Sequence, residues 1–484
     1  MKMSCETRVS FVSLGCAKNV VDSEKMLGQL AEAGCAITAD EDDAEVTVIN
    51  TCGFLEASRT EADEVIREAV ARKRNGVLKR VVVAGCLVQR DKEAILERIK
   101  GVDALVGVNN RDDIVRAVLG TNGNVASPLV GDARAATAPR TRGSAMRSHR
   151  PAKRTTDVYL SDYHPFIQLD TARLRITPRH YAYLRISEGC DQKCTFCTIP
   201  SIRGPMHCKP PEIVLAEARE LVSDGAVEIS LIGQDTTSYG MGEDKLDGGL
   251  GGLLRQLNAV DGLRWLRLMY VYPSVLSDEM IDAIAECEHV CKYIDVPLQH
   301  INDHILKAMH RRVDWAGTER LLQKIRDRIP GVAVRTTLIA GFPGETDEQV
   351  AELVEFLKAF RFDALGVFPY SLEPETPAGR MSGQVPEAVK QDRVAALMQA
   401  QQEVVFALAD ERVGREFEVL VDERVQPGVV AARHQGQAPA VDSVTFVETR
   451  EARPGEFLSV RCAERRGYDL VSRPTRVALP VLAR

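Results

Sequence analysis

The stretch EGCDQKCTFCTIPSIRG, Glu188 to Gly204, decides how the rest of the chain is read. Cys190, Cys194 and Cys197 stand at C-x-x-x-C-x-x-C spacing directly after the strand-like run YAYLRIS. Three thiolates on one short loop repel one another unless a metal neutralises them, and soft thiolates select zinc, copper(I) or iron–sulfur clusters. Three ligands with no fourth Cys or His at regular spacing fit a four-iron four-sulfur cluster whose fourth iron stays open. A zinc site completed by His207 or Cys208, or a chance group of buried thiols, would be the plainer alternatives. Structural zinc pairs usually stand as C-x-x-C, which favours the cluster.

Outward from this loop, residues 179–413 alternate strand-like and helical patterns. The strand-like runs are YAYLRIS, VEISLIG, LRWLRLMYVYP, KYIDVPLQ, VAVRTTLIAGF and DALGVFPYS. Helical patterns cover Pro211–Ser223, Leu250–Ala259, Asp278–Glu286, Trp315–Arg328 and Asp347–Phe360. Successive βα units predict a curved parallel sheet, a (β/α)6 version of the eight-stranded barrel, with its site at the carboxyl ends of the strands. The cysteine loop follows the first strand, so LIGQDTTSYG, DVPLQH and AGFPGET, at the ends of the second, fourth and fifth, should face it. Gly233, Gly341 and Gly344 suit close backbone approach to a ligand. Gln234, Asp235, Gln299, His300 and Glu345 are the polar candidates on the same rim.

Residues 7–120 read as a smaller α/β unit with an open parallel sheet. VSFVSL, EVTVIN, RVVVAG and ALVGV alternate with helical patterns near Val20–Ala33, Ser58–Arg74, Asp91–Ile99 and Asp112–Val118. SLGC, INTCG and VAGC put Cys16, Cys52 and Cys86 at three successive strand ends, where open α/β sheets bind ligands. Buried bystanders are the competing reading, since cysteine is among the most buried residue types. Asp22 and Ser23 fall near a helix start and read equally well as caps.

Residues 121–178, rich in Ala, Gly, Pro, Ser and Arg, read as a flexible connector whose basic run, Arg140 to Arg154, is a solvated tether. Pro386–Arg412 is helical, and Val394, Leu397, Met398, Val404, Val405 and Leu408 form a packing stripe. From 414 to 484 short strand-like runs (EFEVLVDE, DSVTFV, EFLSVRCAE and YDLVS) predict a small β-barrel of the oligonucleotide-binding kind. It carries eleven Arg against ten Asp or Glu, too even a balance for a general RNA clamp, and is assigned to substrate docking.

The totals bound the class. A chain of 484 residues, 45% hydrophobic and 27% charged, is globular and too long for one core. No apolar run reaches membrane-spanning length and no targeting segment is evident at the start, so a cytoplasmic protein without a membrane partner is expected. The twelve cysteines lack the spacing of a secreted disulfide scaffold. Cys5, Cys35, Cys208, Cys287, Cys291 and Cys462 are read as bystanders. A net charge of −7 argues mildly against a surface-wide nucleic-acid footprint.

The cysteine loop, with Phe196 before its last cysteine, resembles the radical S-adenosylmethionine (SAM) signature. SLGCAKNVVDSE, NTCGF and VAGC resemble the amino-terminal domain of the methylthiotransferases within that superfamily, and GREFEVLVDE is similar to a TRAM domain. The resemblance implies two four-iron four-sulfur clusters, one on Cys190, Cys194 and Cys197 and a second on Cys16, Cys52 and Cys86. It implies SAM on the open iron of the first, walled by Phe196, Gly233, Gln234, Asp235, Gln299, His300, Gly341, Gly344 and Glu345. Lys18, Asn19, Asp22 and Ser23 match the family motif as site-shaping residues. GCAKN, Gln192 and Ile202 of the cysteine loop, and GQDTTSYG favour the branch that acts on an aspartate of ribosomal protein S-12, free or in the small subunit. The tRNA-adenosine branch is the alternative, and a non-catalytic zinc-bearing RNA-binding protein is one from another class. The resemblance also calls for a reductant as electron donor and a sulfur source.

Overall fold

Apolar runs bounded by turn residues form the first sheet. The structure, a computed structural model, describes residues 7–120, 156–161, 169–242 and 245–475. The connector's basic run therefore lies outside the described residues, as does Cys5. The chain divides into two compact units, residues 1–14, 26–53 and 58–162 in one and 15–25, 54–57 and 163–484 in the other.

In the first unit, β1 (Arg8–Ser13), β2 (Ala36–Ile37), β3 (Val46–Thr51), β4 (Arg80–Gly85), β5 (Ala104–Val106) and β6 (Asp157–Tyr159) form a parallel sheet in the order β2-β1-β3-β4-β5-β6. Its centre, β3, is buried along its whole length, as a strand covered on both faces must be. Strand β6 falls in the stretch read from sequence as connector, and it pairs in parallel register with β5. Helices α1 (Ala17–Glu32) and α2 (Glu56–Arg74) each begin in residues of the second unit and continue in the first. The segment expected as one helix over Asp91–Ile99 is two short ones, α3 (Cys86–Asp91) and α4 (Ala94–Arg98), followed by α5 (Ile114–Leu119).

The second unit carries β7 (Tyr181–Arg185), β8 (Ser187–Glu188), β9 (His207–Cys208), β10 (Glu228–Ile232), β11 (Trp265–Leu268), β12 (Tyr293–Asp295), β13 (Ala333–Ala340) and β14 (Ala364–Pro369). Parallel sets β7-β10-β11 and β12-β13-β14 meet where Leu266 pairs with Val290, so the six long strands follow one another in chain order. This is the expected partial barrel. Its helices are α6 (Ile199–Arg203), α7 (Pro211–Ser223), α8 (Gly249–Asn258), α9 (Asp278–Glu286), α10 (Asp303–Ala308), α11 (Trp315–Arg328) and α12 (Asp347–Phe360). Local chemistry sets their starts. Ser277, Asn302 and Asp314 accept backbone N–H bonds as caps, and Thr346 with Gln349 completes a capping box. Helix α13 (Glu387–Asp410) buries Leu397, Ala400, Gln401 and Val404, while Val394, Met398, Val405 and Leu408 of the expected stripe are half-buried.

The carboxyl-terminal strands are β15 (Glu416–Gln426), β16 (Val429–Arg433), β17 (Thr445–Glu448), β18 (Phe457–Arg466) and β19 (Asp469–Pro474). They close as β15-β16-β17-β19-β18, and β16 is absent from the four runs read in the sequence. This barrel meets the amino-terminal ends of the parallel strands, opposite the cysteine loop. Glu228, the first residue of β10, is fully buried between Arg267 (2.9 Å) and Arg433 (2.7 Å). Arg433 also pairs with Asp422, which accepts from His180, and Asp442 pairs with Arg335 and accepts from Tyr293 Oη at 2.8 Å. The small barrel is thus a floor for the partial barrel.

Candidate active site

Backbone geometry fixes the cysteine loop before any side chain acts. Gly189 has φ +78°, and a Cβ there would sit 2.0 Å from Pro205 O, so only glycine fits. Cys190 N then donates to Gly204 O at 3.2 Å, closing the loop's base. Its middle is tied down by Thr195, whose N donates to Met309 O and whose Oγ1 donates to Ala308 O, while Ala378 N donates to Thr195 O. Phe196 packs against Ile305, Met309, Phe342, Tyr370 and Ala378.

The three thiols lie within electrostatic reach of one another. Burial, and to a lesser degree Asp235 and the other two thiols, pushes Cys190 up to about 12. Burial and Cys194 push Cys197 up to about 12 as well. Burial thus favours the neutral thiol at Cys190 and Cys197, and a bound metal would favour the thiolate. Arg311 Nη1 donates to Cys194 Sγ at 3.5 Å and its guanidinium stacks 4.1 Å over Tyr272, whose Oη lies 3.8 Å from the same sulfur. Sequence reading missed both residues. Their signals were the aromatic YVYP after the third strand and the basic HRR after α10.

The rim candidates divide into two groups. Gln192 Nε2 donates to Asp235 Oδ2 at 2.9 Å, and Asp235 Oδ1 accepts from Thr237 N and Ser238 N, so Asp235 ties the second strand-end loop to the cysteine loop. Gln234 Nε2 donates to Glu188 at 2.7 Å. A Cβ on Gly233 would meet Ser187 Oγ at 2.5 Å. His300 and Glu345 are buried and face each other at 3.5 Å. Glu345 also accepts from Gly341 N and Arg393, which fixes the AGFPGET turn from behind. Gly341, at φ +78°, would place a Cβ 2.3 Å from Lys390 Cγ, and Gly344 has φ +83° with open space beside it. Gln299, half-buried with φ +75°, has no side-chain hydrogen bond among the described residues, which leaves its amide free for a ligand.

A buried ion-pair network anchors the loop's ends. Glu188 accepts from Arg203 (3.0 Å) and Arg185. Arg185 also donates to Asp22 (2.8 Å) and Asp170, and Arg203 donates to Asn19 and Asp22, both at 2.9 Å. Asp22 and Ser23 lie inside α1, which starts at Ala17, so neither is the cap that the sequence allowed. Arg185, a charge inside an otherwise apolar strand, was the sequence signal for this network. Lys18 is buried beside it with Nζ 3.1 Å from the centre of the Tyr270 ring, and burial lowers its pKa.

In the first unit the loops carrying Cys52 and Cys86 touch. A Cβ on Gly53 would lie 2.7 Å from Leu87 N and 2.8 Å from Cys86 O, and one on Gly85 would meet Thr51 O at 2.7 Å. Cys16, three residues after β1, is exposed and falls in the second unit. Of the remaining cysteines, Cys35, Cys208, Cys287, Cys291 and Cys462 are buried.

Cys208, one of the two candidate fourth zinc ligands, is buried. Cys208 Sγ accepts from Gly240 N at 3.4 Å inside the apolar core. Among the described residues no three His, Cys, Asp or Glu close around a single ion. Thiolates on one tetrahedral zinc stand about 3.8 Å apart.

Comparison with known proteins agrees with this geometry. Residues 184–357 match the radical SAM superfamily, residues 8–107 the uncharacterized protein family UPF0004, and residues 413–474 the TRAM domain. The ribosomal protein uS12 methylthiotransferase RimO of Anaeromyxobacter sp. (strain K) is 41% identical, covering 99% of this chain and 96% of its own. That of Desulforamulus reducens is 39% identical, covering 96% of this chain and 98% of its own. Among solved structures, the radical S-adenosylmethionine methyltransferase TsrM from Kitasatospora setae, with cobalamin and a four-iron four-sulfur cluster bound, shares the fold with a TM-score of 0.51. Its identity is 15%, over 88% of this chain and 80% of that one.

Proposed function

The chain belongs to the RimO family of ribosomal protein uS12 methylthiotransferases, and on that premise we propose that it replaces a hydrogen on the β-carbon of an aspartate in uS12 with a methylthio group. The observation that carries the proposal is the 41% identity over 99% of the chain. In this reading Cys190, Cys194 and Cys197 hold the SAM-binding four-iron four-sulfur cluster, and Cys16, Cys52 and Cys86 hold a second one. When bound, the first cluster and SAM supply one-electron cleavage to a 5′-deoxyadenosyl radical. That chemistry suits the substrate, because a β-carbon hydrogen is not acidic enough for a side-chain base working near neutral pH.

The protein's part is placement and shielding. Arg311 sets a positive charge against the Cys194 sulfur, and Tyr272 covers it. The Glu188 network holds both ends of the cysteine loop, and Gln299 offers a free amide on the rim. Two partners follow from balance: each SAM cleavage takes one electron from a reductant, and the product gains a sulfur that an external donor must replace. No helix among the described residues is long and apolar enough to cross a membrane, and a ribosomal substrate puts the work in the cytoplasm.

Replacing Cys16, Cys52 and Cys86 with alanine is expected to leave 5′-deoxyadenosine formation in place and to abolish the gain of about 46 daltons on uS12. Product mass and nucleoside release are read from one reaction. Modified uS12 from this variant would remove the second cluster from the proposal.

A further inference from the structure

One face of β13 is closed and the other is open. Val334, Thr336, Leu338 and Ala340 are buried, while Arg335, Thr337 and Ile339 between them are half-buried. Val334, Leu338 and Ala340 share an apolar core with Leu353 and Leu357 of α12, so the half-buried residues line the interior of the partial barrel. Parallel register sets Gly366 beside Thr337 and Phe368 beside Ile339, on the same inner face. Ile339 and Phe196 of the cysteine loop pack against one apolar cluster, so this face runs from the cysteine loop down to Arg335.

Arg335 is held from two sides. Its Nη1 donates to Asp295 Oδ1 at 2.8 Å and to Thr337 Oγ1 at 3.4 Å, and its Nε lies 3.3 Å from Asp442 Oδ1. Its Nη2 makes no hydrogen bond among the described residues, and the side chain is 15% exposed, so a ligand can reach it. A guanidinium is planar with its donors in a fixed fork, so holding Nη1 and Nε aims the two N–H groups of Nη2. A Cβ on Gly366 would stand 3.7 Å from Nη2 and 3.3 Å from Phe368 Cε2. Gly366 is not among the glycines with positive φ, so what its missing side chain provides is space in front of Nη2. Phe368, 48% exposed, borders that space. The two flanking carboxylates have donors of their own. Asp295 accepts from Tyr270 N at 3.1 Å, and Asp442 accepts from Tyr293 Oη and Ala438 N, both at 2.8 Å.

We infer that Arg335 Nη2, reached across Gly366, binds the side-chain carboxylate of the substrate aspartate and so selects an acidic residue for modification. The inference rests on the function proposed above. An aspartate's reacting β-carbon is bonded directly to its carboxylate carbon. A carboxylate hydrogen-bonded to Nη2 therefore holds that β-carbon about 4–5 Å from the nitrogen. Charge and a paired set of donors distinguish this carboxylate from the amide of an asparagine, which matches it in shape.

The test measures dissociation constants of the anaerobically reconstituted enzyme for uS12 and for uS12 with the target aspartate changed to asparagine. The wild type should bind the aspartate form about 10-fold more tightly, as one charge-assisted contact allows. Arg335→Gln should bring that ratio to about one while keeping affinity for the asparagine form. This change also takes a partner from Asp295 and Asp442, so thermal melting is recorded alongside. Gly366→Val keeps the guanidinium and both ion pairs, and by filling the space before Nη2 it should bring the same ratio to about one. A folded Arg335→Gln enzyme that still prefers aspartate overturns the inference. If that enzyme does not fold, the valine variant decides, and an unchanged preference in it overturns the inference. A wild type that binds both forms equally overturns it as well. A wild type that binds neither protein would instead overturn the proposed function.

Discussion

Replacing Cys190, Cys194 and Cys197 together with alanine is expected to abolish 5′-deoxyadenosine formation and methylthio transfer outright, and to halve the bound iron. The loop's own bonds argue that the fold survives. Gly189, Thr195 and Gly204 hold it through backbone groups and one hydroxyl, and none of these bonds uses a thiol. Alanine also relieves the burial that pushes Cys190 and Cys197 up to about 12 without a cation. The lesion is therefore chemical: no thiolates, no cluster, no reductive cleavage. Iron counted per chain, with the nucleoside measured by chromatography, checks both halves. Loss of all the iron would show that the second site depends on the first.

Deleting residues 414–484 should have an effect as large for a different reason. A substrate-docking appendage could be removed with SAM cleavage intact. The structure instead gives the small barrel the floor of the parallel sheet. Its loss would strip Arg433 from Glu228 and Asp442 from Arg335, leaving charges exposed in a half-open core. We expect the truncated chain to be insoluble or to melt without cooperativity, with no nucleoside formed. Glu228→Ala isolates the point, because it strands Arg267 and Arg433 and should cost about 3–5 kcal/mol in denaturant unfolding. A soluble truncation that still cleaves SAM would return the barrel to the docking role.

What the sequence disclosed and what it hid follow from how far apart the partners lie. The cysteine loop, the strand-end glycines and the βα alternation are local patterns. Each is written in a short span of chain, and each stood near where the structure has it, the single helix expected over Asp91–Ile99 excepted. The Glu188 network was illegible because Asp22 lies 163 residues from Arg185 and 181 from Arg203. Only the odd arginine inside YAYLRIS hinted at it. Strand β16, VVAAR, was missed because two alanines after a Pro-Gly turn carry no period-2 signal. Strand β6 was missed because three residues at the end of a low-complexity stretch look like more of the same. The floor role of the terminal barrel was hidden for a further reason. Net charge counts Arg433 and Asp442 as surface groups, whereas the fold buries both against the parallel strands.

The central claim is transfer to an aspartate of uS12, and one mass measurement tests it most directly. The reconstituted enzyme, with SAM, a reductant and a sulfide source, is offered uS12 and isopentenylated tRNA in the same anaerobic vessel. The account predicts a gain of about 46 daltons on one aspartate of uS12 and none on the tRNA. A methylthio group on the tRNA with uS12 untouched would contradict it and move the chain to the nucleic-acid branch of its superfamily.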